Sequence, residues 1–229
     1  MIHTHISRAL RESIAATLIV AVAALGLYLA WEPVVSSSAT SQFEVQLTID
    51  DEIVFATAPA GVNLGSLFGL TGGTTTGRTQ IVVQTNNSTG YNLRIAASSS
   101  GDMVGNATAS TVPAYGPDVA GVPDYFFKIP AGEYEFGYTA NASGSASDLA
   151  QEFRNSGTSC NSGSTQDIDR CWLNATSGDT VFLQTSSVPP NTYGTSTLSF
   201  QVTMNGAPAT PLPSDTYVAT MTVTALNNP

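Results

Sequence analysis

The chain has 229 residues with 7 Lys+Arg against 17 Asp+Glu, a formal charge of -10 and 10% charged residues, while 29 Thr and 25 Ser supply most of its polarity. With 42% apolar residues it is too hydrophobic for a disordered tail, and the roughly 190 residues that follow an N-terminal apolar stretch suit one β-rich domain with a real core. The charge balance excludes an electrostatic nucleic-acid binder, because the cations beyond residue 31 are Arg78, Arg94, Lys128, Arg154 and Arg170, five scattered side chains that build no phosphate-binding patch.

The first element is residues 14–31 (IAATLIVAVAALGLYLAW), an 18-residue run without a charge, preceded by Arg8 and Arg11 and followed by Glu32 and Pro33. As a helix it spans about 27 Å, close to the roughly 30 Å hydrocarbon core of a bilayer. The arginines place its N-terminal side in the cytoplasm and send the rest outward. Two readings fit the segment. One is an uncleaved anchor with Trp31 at the interface; the other is a signal peptide cleaved after Ala39 in Ser37-Ser38-Ala39. The expected organisation is a cytoplasmic segment 1–13, a transmembrane or signal-anchor helix 14–31, a Ser-rich spacer 32–41 and an extracytoplasmic β domain 42–229. The expected location is the cell membrane, single-pass with the C-terminal domain outside, or the secreted, cell-surface state.

Downstream, Phe43-Glu44-Val45-Gln46-Leu47-Thr48-Ile49 alternates apolar and polar residues and predicts a half-buried strand. Residues 69–77 (GLTGGTTTG) read as a flexible loop. Strand signals recur at 80–84, 91–95, 134–138, 181–184, 198–204 and 217–226, with hairpin-type turns at 86–90 and 189–194 and a short helix at 147–155. Seven or more short strands punctuated by Gly, Pro and Asn predict an all-β fold. The expected architecture is an antiparallel β-sandwich, immunoglobulin-like or pilin-like, preceded by one N-terminal helix.

Chemistry-bearing residues are sparse. His3 and His5 both precede the apolar stretch, so the region after it has no imidazole, which removes Ser-His-Asp and Cys-His catalysis and His-ligated zinc. There is no G-x-S-x-G, no Walker loop and no H-E-x-x-H. No enzyme and no cofactor are expected. Cys160 and Cys171, the two cysteines, predict a disulfide outside the cytoplasm. Asp167 and Asp169 are weak calcium candidates without the loop spacing that calcium sites use, and the reading of them as solvated turn residues stands beside it. Glu133 and Glu135 share a strand face, an arrangement open to an acid and base pair, and the reading of them as the strand's wet side stands beside it. Asn86, Asn87, Asn106, Asn141 and Asn174 begin N-x-[ST] triplets. Tyr115, Tyr125, Phe126 and Phe127 form either a loop folded over the core or a contact surface.

The order of features resembles a group of uncharacterised exported β-sandwich surface proteins of candidate-phylum bacteria. The resemblance is carried by Trp31-Glu32-Pro33, Gly69-Leu70-Thr71-Gly72-Gly73, Thr85-Asn86-Asn87 with Gly90-Tyr91, Phe136-Gly137-Tyr138, Cys160-Asn161 with Cys171-Trp172, and residues 217–224. It implies export and brings no established activity. Residues 213–224 also resemble the final strand of bacterial pilin and surface domains, with Asp215 where such strands commonly have Gly. The function expected is a non-enzymatic, adhesive or structural cell-surface protein that assembles by adding residues 42–49 to a neighbour's sheet edge. The alternatives are a type IV pilin-like subunit with a helical spine, Glu12 lying near its start, and an exported carbohydrate- or calcium-binding module. The partners expected are the membrane through the helix, and further copies, a host or cell-surface protein or a glycan, with no nucleic acid.

Overall fold

The structure is a computed structural model that describes residues 3–30, 39–187 and 193–229, with helix side chains described from residue 10 to residue 28. Trp31-Glu32-Pro33, Ser37-Ser38 and most of the turn at 189–194 lie outside the described residues. The chain divides into two units, Met1–Thr48 and Ile49–Pro229.

The first unit holds helix α1, His3–Ala30. Alanine and leucine dominate it, both strong helix formers. Its span Leu10–Tyr28 has a mean hydropathy of 1.8 and is fully exposed, long and apolar enough to cross a membrane. Residues 39–48 carry no strand.

The half-buried strand expected at 43–49 is therefore corrected: Phe43, Val45, Leu47 and Ile49 are 76–85% exposed. Alternation supplies an apolar face, but a strand also needs a backbone partner. Among the described residues none pairs with 43–49, and the pairing begins with β1 (Ile53–Thr57), which runs antiparallel to β2 (Gly73–Thr85) from Ile53 opposite Thr85. The strands of the second unit thus begin at Ile53 rather than at residue 42.

After β1 and β2 come β3 (Tyr91–Ala97), β4 (Met103–Gly105), β5 (Thr111–Val112), β6 (Tyr134–Ala142), β7 (Thr180–Gln184), β8 (Tyr193–Met204), β9 (Tyr217–Val218) and β10 (Met221–Asn227). They form three antiparallel sheets in the orders β1-β2-β8-β6, β10-β3-β7 and β5-β4-β9. The fold is all-β, as the sequence pattern predicts. The first sheet is organised on the long β2–β8 pairing, from Gly73 opposite Met204 to Gln84 opposite Tyr193.

One core joins the first two sheets. Ile81, Val83, Tyr138, Leu198 and Phe200 face it from the first sheet, and Leu93, Ile95, Phe182 and Leu183 from the second. Alternation explains the placement: β3 buries every second residue from Tyr91 to Ala97.

Other sequence expectations change too, and the single strand expected at 217–226 divides into β9 and β10, which pair in different sheets. Gly73 to Gly77 is not loop but the start of β2, because β8 reaches far enough to pair with it. Residues 86–90 join strands of different sheets, so they form a crossing arch rather than a hairpin. Asn87 shapes that arch, its Oδ1 accepting from the Thr89 N–H at 2.9 Å and its Nδ2 donating to the Asn228 carbonyl at 2.6 Å. The helix at 147–155 is two short 3-10 turns, Ala146–Asp148 and Gln151–Phe153.

Candidate functional site

An antiparallel sheet exposes unpaired backbone groups at each edge, and a soluble fold covers or disrupts them. Here the two ends of the sandwich differ. On β6, Tyr138 exchanges backbone hydrogen bonds with Leu173 at 2.9 Å each, Tyr115 donates to the Phe136 carbonyl at 2.7 Å, and the Gln166 side chain bonds both backbone groups of Ala142. On β7, the Ala150 N–H donates to the Phe182 carbonyl at 3.0 Å. Both edges are covered by the chain itself. At the opposite end, β1 and β10 terminate their sheets, and among the described residues neither has a strand on its outer side.

Next to those open edges, residues 59–70 run along β2 without forming a strand. Pro59 lacks an N–H, and Gly61 and Gly65 add no side chain to pack. Threonine hydroxyls replace the ladder. The Ala60 N–H donates to Thr79 Oγ1 at 2.8 Å, and the Thr75 hydroxyl donates to the Leu64 carbonyl. Gly77 permits the close approach, since a Cβ there would lie 2.5 Å from Val62 Cγ1.

Between this segment and β10 lies a groove of about 1150 Å3, lined by Phe200 and Val202 of β8, Met221 and Val223 of β10, and Leu64 and Leu67. Phe68 and Leu70, 78% and 69% exposed, extend its apolar lining to the surface. On β10 the residues Met221, Val223 and Ala225 are only half-buried, whereas the equivalent alternate residues of β3 are fully buried. The core is open on this side.

Asp215 fixes one rim of the groove. Its Oδ2 accepts from the Ala107 N–H at 2.9 Å, the Thr108 N–H at 2.8 Å and the Thr108 hydroxyl at 2.7 Å, and its Oδ1 accepts from the Thr216 N–H at 2.7 Å. These donors, the Thr108 hydroxyl foremost, hold its carboxyl down at about 2. The position therefore takes an acceptor rather than glycine.

The sequence-predicted sites lie away from this groove. Cys160 and Cys171 form a disulfide with their Cα atoms 5.5 Å apart. Tyr115 is 1% exposed and stacks on Phe127 at 4.4 Å, which meets Trp172 edge-on at 5.3 Å. Its hydroxyl donates to Asp124 Oδ2 at 2.7 Å, and burial followed by this bond pushes the phenol pKa up. Tyr115 thus belongs to a cap over the core and not to a contact surface. Phe126 is 49% exposed, and the Arg170 guanidinium lies over it and over Tyr125, at 4.9 and 5.4 Å.

The acidic candidates are engaged by other side chains: Asp169 Oδ2 pairs with Arg78, and Asp167 Oδ2 accepts from the Tyr125 hydroxyl at 3.4 Å. No group of three or more His, Cys, Asp or Glu that could hold a metal ion occurs among the described residues. Glu135 Oε2 accepts from the Gly116 N–H at 3.0 Å, and its pKa is raised, chiefly by burial and secondarily by the charge of Glu133. Ala39 is exposed, while the two serines before it fall outside the described residues.

Sequence reasoning did not find the groove. Its β10 residues carry the pattern of an ordinary core strand, and an open edge leaves no mark on that pattern. The available signal was the Pro/Gly-interrupted apolar stretch 59–70, which cannot pair as a strand yet holds Val62, Leu64, Leu67, Phe68 and Leu70. No protein-family model and no curated protein matches the chain.

Proposed function

We propose that this chain is a non-enzymatic cell-surface protein, tethered through α1 with its β domain outside, that assembles into a filament or layer by strand addition. The observation that carries the reading is the segment 42–49: it has the alternation of a strand and, among the described residues, no strand partner, and its four large apolar side chains are exposed. Burying them would contribute roughly 1.5–3 kcal/mol each before ordering costs. Such a segment is stable only when covered, and adding it to a neighbour's sheet covers it while satisfying its backbone. The apolar length of α1, Arg8 and Arg11 toward its N-terminal end and the low charge of the β domain support the outward placement.

The test is on intact cells. Protease added outside should remove the β domain while the cells stay sealed. Assemblies recovered from the surface should fall to single subunits in the Val45→Asp, Leu47→Asp double variant. A domain shielded from external protease would overturn the placement, and assemblies unchanged by the double variant would overturn strand addition.

A further inference from the structure

The open groove and the uncovered segment complement each other in chemistry. The groove is largely apolar and is bordered by Met221 and Val223 of β10, the edge strand of its sheet. Residues 42–49 put Phe43, Val45, Leu47 and Ile49 on one face and Glu44, Gln46 and Thr48 on the other, the division needed by a strand with one side in a core and one in water.

We propose that the groove between β10 and residues 59–70 receives residues 42–49 of a second copy of this chain. This inference rests on the assembly reading above and names the acceptor. The incoming strand hydrogen-bonds to the outer edge of β10 and inserts its apolar face among Phe200, Val202, Val223 and Leu67, completing the core on its open side.

Two observations favour a second copy over the segment's own domain. Asn86 fixes the residues leading into β1: its Nδ2 donates to the Asp50 carbonyl at 3.0 Å, its Oδ1 accepts from the Glu52 N–H at 2.6 Å, and its own N–H donates to the Glu52 carbonyl at 3.3 Å. None of Asp50, Asp51 and Glu52 has the positive φ of the type I′ and II′ turns that favour a tight two-residue hairpin with β1. The covered edges of β6 and β7 leave β1 and β10 as the open edge strands, and of these two only β10 lines the groove.

The experiment uses the full chain in detergent, sized by light scattering across a concentration series. A donor-defective variant (Val45→Asp, Leu47→Asp) keeps the groove. An acceptor-defective variant (Val223→Arg) keeps the segment, and Leu67→Arg serves as an independent second one, each verified as folded by a cooperative melt. Wild type should oligomerise, each variant alone should be monomeric, and the donor-defective and acceptor-defective chains mixed should form dimers and nothing larger.

Folded acceptor variants that still assemble like wild type overturn the groove assignment and leave strand addition standing. A donor-defective variant that still assembles overturns both. Wild type that stays monomeric at every concentration, with residues 42–49 resistant to protease, shows that the segment is held by its own domain and overturns the second copy.

Discussion

The Tyr91 side chain reaches from β3 to β8 and ends against Gly194, where an added Cβ would collide with the tyrosine Oη. The two residues set the contact between the two main sheets at this end of the core. Tyr91 is buried, and burial, with the charge of Asp148 second, pushes its pKa up to about 12. Gly194→Ala should therefore destabilise the domain by about 1–3 kcal/mol through overpacking. Tyr91→Phe in the same chain, which removes the opposing oxygen, should restore part of that loss. Urea unfolding midpoints of the single and double variants measure both effects.

Asp215 gives a pH signature. Its pKa in the folded protein lies below the ordinary carboxylate value of 3.8, at about 2. A depressed carboxylate contributes stability that is fully present above the unfolded value and is lost as pH falls through the folded one. The melting temperature should accordingly fall between pH 4 and pH 2, and Asp215→Asn should melt lower at neutral pH with a flatter profile across that window. Identical profiles for the two proteins would contradict the role of the four hydrogen bonds.

The disulfide closes a loop whose middle is tied to Asn155, which exchanges backbone hydrogen bonds with Thr165 at 2.9 and 3.1 Å. The Cys160→Ser, Cys171→Ser variant should lose about 3 kcal/mol on the chain-entropy account. Reduction of the wild type should lower its unfolding free energy by the same amount, read from urea unfolding.

Asn86 predicts a local effect. Asn86→Ala removes the two side-chain bonds to Asp50 and Glu52, each worth about 1 kcal/mol. Amides of β1 should exchange faster in this variant while those of the β2–β8 pairing keep their protection.

Most strands were legible because burial imposes period two on them, and 91–95, 134–138, 181–184 and 198–204 each fall within an observed strand. The paired cysteines were legible from their number and the expected compartment. Pairing partners were not. Nothing local in Asn86 to Gly90 tells a hairpin from an arch between sheets, since both need the same turn residues. The segment 43–49 misled for the converse reason: its pattern reports the surface it is suited to meet, and not whether that surface belongs to its own chain. Tyr115 was ambiguous because an aromatic in a Pro/Gly-rich loop reads alike as cap or as contact, and only the stack with Phe127 and Trp172 separates the two.

Cross-linking between copies tests strand addition into the groove most directly. One full-length chain carries a cysteine at position 43, 45, 47 or 49 in turn, and a second, distinguished by mass, carries Val223→Cys; the native cysteines are already paired. Facing residues on neighbouring strands bring their Cβ atoms to about 5 Å, so mild oxidation of the mixture should join the two chains most efficiently from one of the four positions. A chain holding both cysteines should cross-link between copies rather than within itself. No cross-copy product from any of the four positions, or a product confined to the single chain, would contradict the account.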